Sequence, residues 1–209
     1  IKSKLLSKRK KKKEEINSFL NPSIKSFLPN PNDLIDMVKT TSRSVKIIQE
    51  KEKIGIFGDY DVDGATSTAL LGNYFTELNL DYEVYIPDRK KEGYGPSIKS
   101  FQELIDKKVK IIFTVDCGTL YFDAINFARE KKVDVIVLDH HQAEINLPKA
   151  FSIVNPNRLD DTSNLQYLSA AGVTFMFLVY LNRKLRNVDW FIQENFEEPN
   201  LINYLDLVS

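Results

Sequence analysis

Three aspartates at alternate positions are the residues of this sequence that most clearly suit chemistry. Asp59, Asp61 and Asp63 lie between a short apolar run and a helical pattern, in the stretch IGIFGDYDVDGATSTALL at 54–71. Carboxylates this close together repel one another, and placing them at the end of a buried strand is electrostatically costly. A hard divalent cation such as Mg²⁺ or Mn²⁺ removes that cost, since these ions bind carboxylate oxygens. The stretch predicts a metal site, with a solvated acidic turn as the alternative.

Two later apolar runs also end in polar residues. Asp116 follows the run in TVDCG, and Asp139, His140 and His141 follow the run in VIVLDHH. The chain has two histidines in all, and imidazole suits Mn²⁺ and related ions as well as zinc. We therefore predict that both groups join the three aspartates in one site. Cys117 is predicted to be a buried apolar filler rather than a reactive thiol.

Strand-like runs alternate with helical patterns from residue 53 onwards, which would position these groups together. The predicted strands are Ile54–Phe57, Tyr82–Ile86, Lys110–Val115 and Val133–Leu138. The predicted helices between them are Ala65–Leu78, Pro96–Lys107 and Tyr121–Lys131. This alternation predicts an α/β fold, a parallel β-sheet with helices on both faces. In such sheets the working residues gather beyond the carboxyl ends of the strands, where the aspartates and histidines are found.

Residues 1–50 have a different pattern and predict a helical N-terminal extension, with residues 51–209 forming the α/β domain. The basic run Lys8–Lys13 is interpreted as the solvated face of a helix, and a phosphate-binding arm is the alternative. Near the other end, the apolar stretch Tyr167–Leu185 predicts a packed central helix.

Composition narrows the class of protein without naming a partner. The chain of 209 residues has 29 basic and 29 acidic side chains, so its net charge favours neither acidic nor basic partners. With one cysteine there is no disulfide framework, which is typical of a reducing compartment. No apolar run approaches membrane-spanning length. A soluble, cytoplasmic protein without membrane association is predicted, and nothing in the sequence points to an obligate oligomer.

The chain resembles the DHH phosphoesterase superfamily in three motifs, FGDYDVDGATSTALL, TVDCGT and LDHH. More closely, it resembles the RecJ-type single-strand DNA exonucleases, with supporting stretches at residues 19–23, 92–96, 155–158 and 170–175. The resemblance implies a parallel-sheet DHH domain joined by a linker to a smaller second domain. It also implies 5′→3′ hydrolysis of single-stranded DNA with Mn²⁺ or Mg²⁺, in DNA repair and recombination, with possible replication or repair protein partners.

Phosphodiester hydrolysis of this kind suits two metal ions about 4 Å apart, which activate water and stabilise the leaving oxygen. Asp61 and Asp63 are each expected to hold one ion, and Asp116 is the best candidate for a bridging carboxylate. His140 matches a metal ligand of the family. Whether Asp59 is a ligand is left open.

The remaining candidate residues are assigned to catalysis and to substrate. His141 matches the family position that contacts the phosphate and assists acid–base chemistry. Asp139 is expected to orient a histidine from behind, as carboxylates do for ligating imidazoles. Arg89, Tyr94 and Arg158 are predicted to contact the single-stranded DNA. Aromatic side chains stack on its bases, and basic side chains bind its phosphate backbone.

Two departures from the family pattern affect these expectations. Phe57 stands where many superfamily members have histidine, so one metal site is expected to be poorer in ligands. In the family, a stretch like YLDLVS leads shortly into another metal-binding aspartate and later into a second domain. Since the sequence stops at Ser209, the DHH domain is expected to be incomplete and the chain folded but nearly inactive.

Three other functions share parts of this pattern. A related phosphoesterase would act on small substrates such as oligoribonucleotides, cyclic dinucleotides or pyrophosphate. A haloacid-dehalogenase-type phosphatase also uses two aspartates after a strand, but Ala65 stands where that class has threonine or valine, and the histidine pair would have no role. A non-catalytic relative that only binds nucleic acid would not need these acidic and histidine residues.

Overall fold

The structure of this chain is a computed structural model that describes Lys8, Lys12 and residues 15–208. It divides into two compact units, Ile1–Asn30 and Pro31–Ser209. In the first unit, short helices span Ile16–Leu20 (α1) and Ile24–Phe27 (α2). The basic run predicted at 8–13 lies outside the described residues apart from its two described lysines.

The second unit contains a sheet and the helices that cover it. Its strands are Ile54–Gly58 (β1), Tyr82–Tyr85 (β2), Ile111–Val115 (β3), Asp134–Leu138 (β4) and Ser152–Val154 (β5). Its α-helices are Met37–Glu50 (α3), Val62–Glu77 (α4), Arg89–Glu92 (α5), Ile98–Asp106 (α6), Phe122–Glu130 (α7), Ala170–Asn187 (α8) and Trp190–Gln193 (α9). Short 3₁₀ segments lie at Pro31–Asp33 and Leu201–Leu207.

The strands form one five-stranded sheet in the order β2-β1-β3-β4-β5, and every neighbouring pair is parallel. The predicted α/β class with a parallel sheet is confirmed, and each predicted strand is present with ends shifted by at most one residue. Strand β5 was not predicted, because its three residues are too few to show a period of alternating side chains. This edge strand pairs with β4 from Ile136 to Leu138.

Helices cover both faces of the sheet, and alternate strand residues meet them. On one face, Phe57 and Val135 lie in a buried cluster with Phe101 of α6 and Ile125 of α7. On the other face, the ring of Phe113 packs against Phe75 of α4 and Phe177 of α8, with ring centroids 5.7 and 5.6 Å apart. The predicted packed helix at 167–185 is confirmed as α8, whose residues are mostly buried.

The unit that contains the sheet begins at Pro31 and includes helix α3. Helix α3 belongs to the sheet unit because one of its faces is buried there, including Met37 and Ile47. Its Thr40 hydroxyl donates to the Ser152 hydroxyl of β5 at 2.7 Å, which fixes the helix to the sheet edge. Among the described residues, none of the helices has both the length and the apolar character needed to cross a membrane.

Candidate metal centre

The turn between β1 and α4 presents the first aspartates at the carboxyl end of the sheet. Asp61 is the N-cap of α4, and its Oδ1 accepts the Gly64 N–H at 2.9 Å. A Cβ at position 64 would lie 2.6 Å from the Asp59 carbonyl oxygen, so only glycine allows this helix start to pack against Asp59. The helix therefore begins at Val62, three residues before its predicted start.

The two carboxylates of this turn have different environments. Asp59 is buried, its Oδ1 has no hydrogen-bond partner among the described residues, and burial raises its pKa. Asp61 is exposed. Burial of part of the group opposes its ionisation, but the Gly64 N–H, the Asp116 carboxyl and the Asp63 N–H together outweigh that effect and lower the pKa of Asp61. Asp61 is thus favoured as an anion, whereas burial disfavours the ionised form of Asp59.

Asp116 is the most strained and least satisfied acidic group of the site. It follows β3 in the left-handed backbone region, at φ 60°, which aspartate tolerates better than most residues. It is 1% exposed, and neither carboxylate oxygen has a hydrogen-bond partner among the described residues. Burial first, and then the adjacent carboxyl of Asp61, raise its pKa to about 8. A buried carboxyl without partners is a group that a cation would satisfy.

Two groups of potential metal-binding atoms share Asp116. One consists of Asp59, Asp61 and Asp116, and the other of Asp116, His140 and His141, with the donor atoms of each group within 4.8 Å of one another. The Nε2 atom of His140 lies 3.3 Å from Asp116 Oδ1. The shared residue is the one that the sequence analysis expected to bridge two ions.

Asp63 is held by a helix that begins more than a hundred residues later. Its Oδ2 accepts the Ala170 N–H and its Oδ1 accepts the Ala171 N–H, each at 2.8 Å, at the N-terminus of α8. A helix N-terminus stabilises a carboxylate through its unpaired N–H groups and its dipole. Asp63 Oδ2 also lies 3.5 Å from His140 Nε2, so this helix start fixes a carboxylate at the edge of the cluster.

Asp139 accepts hydrogen bonds from both histidines of the pair. Its Oδ1 accepts from His141 Nδ1 at 2.7 Å and from the His140 N–H at 2.8 Å. Its Oδ2 accepts from the N–H and the hydroxyl of Thr119 at 3.1 and 2.6 Å. Burial opposes ionisation of Asp139, but these bonds lower its pKa, and the bond from His141 raises the histidine pKa to about 9. These contacts place Asp139 where it can fix the orientation of the His141 ring.

Two asparagines that were not predicted as site residues hold the histidine backbone. The side-chain amide of Asn155 donates to the His141 carbonyl and to the Thr119 hydroxyl, both at 2.9 Å. The amide of Asn157 donates to the His140 carbonyl. The only sequence signal was the NPNR stretch, whose two asparagines follow the unrecognised strand β5.

Tyr94 and Arg89 lie beside the cluster. The Tyr94 hydroxyl donates to the Asp116 carbonyl oxygen at 3.0 Å and lies 3.2 Å from His141 Nε2. The Arg89 guanidinium lies 5.0 Å from the centre of the Tyr60 ring, which in turn meets the Tyr94 ring edge to face at 6.4 Å. A cationic and aromatic wall therefore borders the acidic groups.

Arg158 has a different environment from the other two predicted substrate contacts. Its guanidinium forms a two-bond pair with Asp160 and a bond to Asp36 at 3.0 Å, and it donates to the Ile153 carbonyl at 2.7 Å. The side chain is 10% exposed. These contacts fasten β5 to the start of α3 and leave little of the guanidinium for a ligand, so the structure favours an anchoring role over the predicted contact with the strand.

The arrangement of these residues was compared with known protein families. Residues 53–208 match the family model described as the DHH family, N-terminal domain. The chain belongs to the DHH family. The matched region contains the whole sheet, both histidines and every aspartate of the cluster, so the geometry above is that of a DHH-family domain.

Curated relatives of this DHH-family chain include single-stranded-DNA-specific exonucleases RecJ from several bacteria. Identity is 38% with the Haemophilus influenzae protein over 91% of this chain, and 35% with the Escherichia coli protein over 91%. It is 35% with the Bacillus subtilis protein over 78% of the chain. The chain spans 33%, 33% and 20% of these relatives' lengths, respectively.

Solved structures show the same fold. A crystal structure of exonuclease RecJ bound to manganese matches with a TM-score of 0.70 at 28% identity, covering 84% of this chain and 42% of that one. The Thermus thermophilus RecJ in complex with Mn²⁺ matches with a TM-score of 0.65 at 26% identity, over 84% of this chain and 23% of that one.

Proposed function

We propose that this chain carries the metal-dependent phosphodiesterase centre of a 5′→3′ exonuclease acting on single-stranded DNA. The observation that carries the proposal is the buried Asp116 carboxylate, which has no hydrogen-bond partner among the described residues and is shared by two groups of metal-binding atoms. Similarity to proteins named single-stranded-DNA-specific exonucleases supports the substrate. A cytoplasmic location and replication or repair protein partners accompany this proposal as predictions.

Two divalent ions, Mn²⁺ or Mg²⁺, fit the residues present. Hard cations take carboxylate oxygens and imidazole nitrogen, and they would neutralise carboxylates that otherwise repel one another. One ion would be held by Asp59, Asp61 and Asp116, and the other by Asp116, Asp63 and His140. When bound, such ions supply a strong nucleophile from water at neutral pH and neutralise charge on the leaving oxygen.

The chain's own residues orient the reacting phosphate and offer it a positive charge. The bond from His141 Nδ1 to Asp139 directs Nε2 of the imidazole towards Tyr94 and the mouth of the site. The same bond favours the protonated ring and raises the pKa of His141 to about 9. A cationic N–H at this position binds a phosphate oxygen and can deliver a proton to a leaving oxygen.

Arg89, Tyr60 and Tyr94 form the wall along which the strand would pass. The guanidinium offers charge to the phosphates, and the rings offer faces for bases, a combination that binds single strands without sequence preference. Arg158 is left out of this surface because of its bonds to Asp36 and Asp160.

The test is hydrolysis of a single-stranded oligonucleotide by the protein with Mn²⁺, comparing labels at the 5′ and 3′ ends. We expect slow release of mononucleotides from the 5′ end that requires Mn²⁺ and disappears in Asp116→Asn. Asp106→Asn, which changes an exposed carboxylate on α6, is the matched control and should retain the wild-type rate.

Two results would contradict the proposal. Equal rates in the Asp116 variant and the wild type would remove the cluster from catalysis. Faster hydrolysis of a dinucleotide than of a long strand would favour the small-substrate phosphoesterase alternative instead.

A further inference from the structure

Two adjoining cavities lie beside the metal centre on the side of His141. The first, about 330 Å³, is lined by Tyr94, Leu120, Tyr121 and His141 together with the backbone that follows Asp116. The second, about 650 Å³, shares Leu120 and Tyr121 with the first and continues towards Ile98. Together they extend from the histidine pair along the N-terminal ends of α6 and α7.

The aromatic wall of the first cavity is held in a fixed position. Gly95 has φ 76°, and a Cβ there would lie 2.1 Å from the Tyr121 ring, so this ring packs directly over the glycine. The Tyr121 hydroxyl donates to the Tyr94 carbonyl at 3.1 Å, and the two rings lie 6.1 Å apart. A ring fixed in this way loses little conformational freedom when a planar group stacks on it.

The polar side chains around the first cavity already have hydrogen-bond partners within the protein. Thr119 gives both its N–H and its hydroxyl to Asp139. The hydroxyls of Tyr94 and Tyr121 donate to backbone carbonyls. What remains for a ligand is mostly apolar surface: the two rings, the half-exposed Leu120 and the buried Cys117. Such a surface recognises the face of a planar group and not the hydrogen-bonding edge that distinguishes one base from another.

We propose that the first cavity is a nucleobase subsite, which receives the base of the nucleotide adjoining the phosphate at the metal centre. Its volume falls within the range of about 300–1,000 Å³ of ligand pockets, and His141 connects it to the phosphate position. Leu120 and Tyr121 supply the stacking surface, and the engagement of its polar groups makes the subsite tolerant of any base. This inference rests on the proposed function of the same site.

The experiment measures binding rather than turnover. Deoxyadenosine 5′-monophosphate and 2-deoxyribose 5-phosphate are titrated calorimetrically into the protein with saturating Mn²⁺. These ligands share the sugar phosphate and differ at C1′, which has a base in one and a hydroxyl in the other, so the ratio of their dissociation constants reports the base contribution. Stacking of one base corresponds to a ratio of about tenfold or more in the wild type.

Two substitutions locate that contribution. Tyr121→Ala and Leu120→Asn should bring the ratio close to one. Tyr121→Phe, which retains the ring and loses only the hydroxyl, should retain most of the ratio. Titration with thymidine 5′-monophosphate should give a ratio similar to that of the adenine nucleotide.

The outcomes separate this inference from the proposed function. A ratio near one in the wild type, or a full ratio in Tyr121→Ala, overturns the subsite even when Mn²⁺-dependent strand hydrolysis is found. Binding of neither ligand overturns it as well. A full ratio that depends on Tyr121, in a protein that hydrolyses no strand, upholds the subsite while the proposed exonuclease activity fails.

Discussion

Two aspartates of the cluster should change the stability of the metal-free protein in opposite directions. Asp63 accepts two N–H groups from the start of α8, whereas Asp116 accepts none from the described residues. In Asp63→Asn, the amide nitrogen faces one of those N–H groups, so one charge-assisted bond is lost and two donors oppose each other. Bonds to charged groups contribute about 1.5–3 kcal/mol, so we expect a loss of about 2–3 kcal/mol.

Asp116→Asn should stabilise the metal-free fold. The pKa of this carboxyl is raised from 3.8 to about 8 in the folded protein, so its stability contribution is present at low pH and is lost as pH rises towards 8. An asparagine side chain does not ionise, so it avoids the free-energy cost of burying a carboxylate anion. Each pKa unit corresponds to about 1.4 kcal/mol, and solvent at the mouth of the site reduces the total, so we expect a gain of about 1–2 kcal/mol at neutral pH.

Urea and thermal unfolding in EDTA at neutral pH would measure both changes. The fluorescence of Trp190, buried against Phe196, reports on the sheet unit. For a chain of this size, the Asp63 variant should lose about 4–12 °C in Tm. Asp106→Asn is the control for general loss of an acidic charge. Shifts of the same sign in the Asp63 and Asp116 variants would refute the reasoning, because the two carboxylates would then not differ in their effect on the metal-free fold.

Three further predictions concern the histidines, pH and Arg158. His140→Ala should weaken Mn²⁺ binding about 10-fold or more, whereas His141→Ala, whose Nδ1 is engaged by Asp139, should lower turnover with little change in affinity; equal losses of calorimetric affinity would contradict this division. Mn²⁺ affinity should rise about tenfold per pH unit up to about pH 8, where Asp116 ionises, and then level off, whereas in Asp116→Asn the slope should be shallower. Arg158→Gln should lower Tm and leave the Mn²⁺ affinity within about twofold of wild type, since its bonds go to Asp36 and Asp160; a large loss of oligonucleotide binding at unchanged Tm would restore its predicted contact with the strand.

Much of the fold could be predicted because the local patterns of strands and helices agree with the parallel topology of the whole sheet. Apolar runs that end in Asp59, Asp116 and Asp139 alternate with helical patterns, and parallel topology then brings their carboxyl ends together. The short edge strand β5 carried no period of its own, so the asparagines that follow it were not recognised as supports for the histidines.

Long-range contacts set the limit of the sequence analysis for the site. Nothing in the local sequence of Asp63 shows that the N–H groups at Ala170 and Ala171 will bind it, because only the packing of α8 beside α4 brings them together. The role of Arg158 also depends on a long-range contact. Its position near a motif predicts a contact with phosphate, but in the fold its guanidinium bonds to Asp36.

Anomalous diffraction at the manganese edge, from crystals soaked in Mn²⁺, tests the central claim most directly. We predict two peaks about 4 Å apart, both within bonding distance of the Asp116 carboxylate. One should lie towards Asp59 and Asp61 and the other towards His140, and both should be lost or weakened in Asp116→Asn. Peaks that do not touch Asp116, or no peak at the carboxyl end of the sheet, would contradict the account.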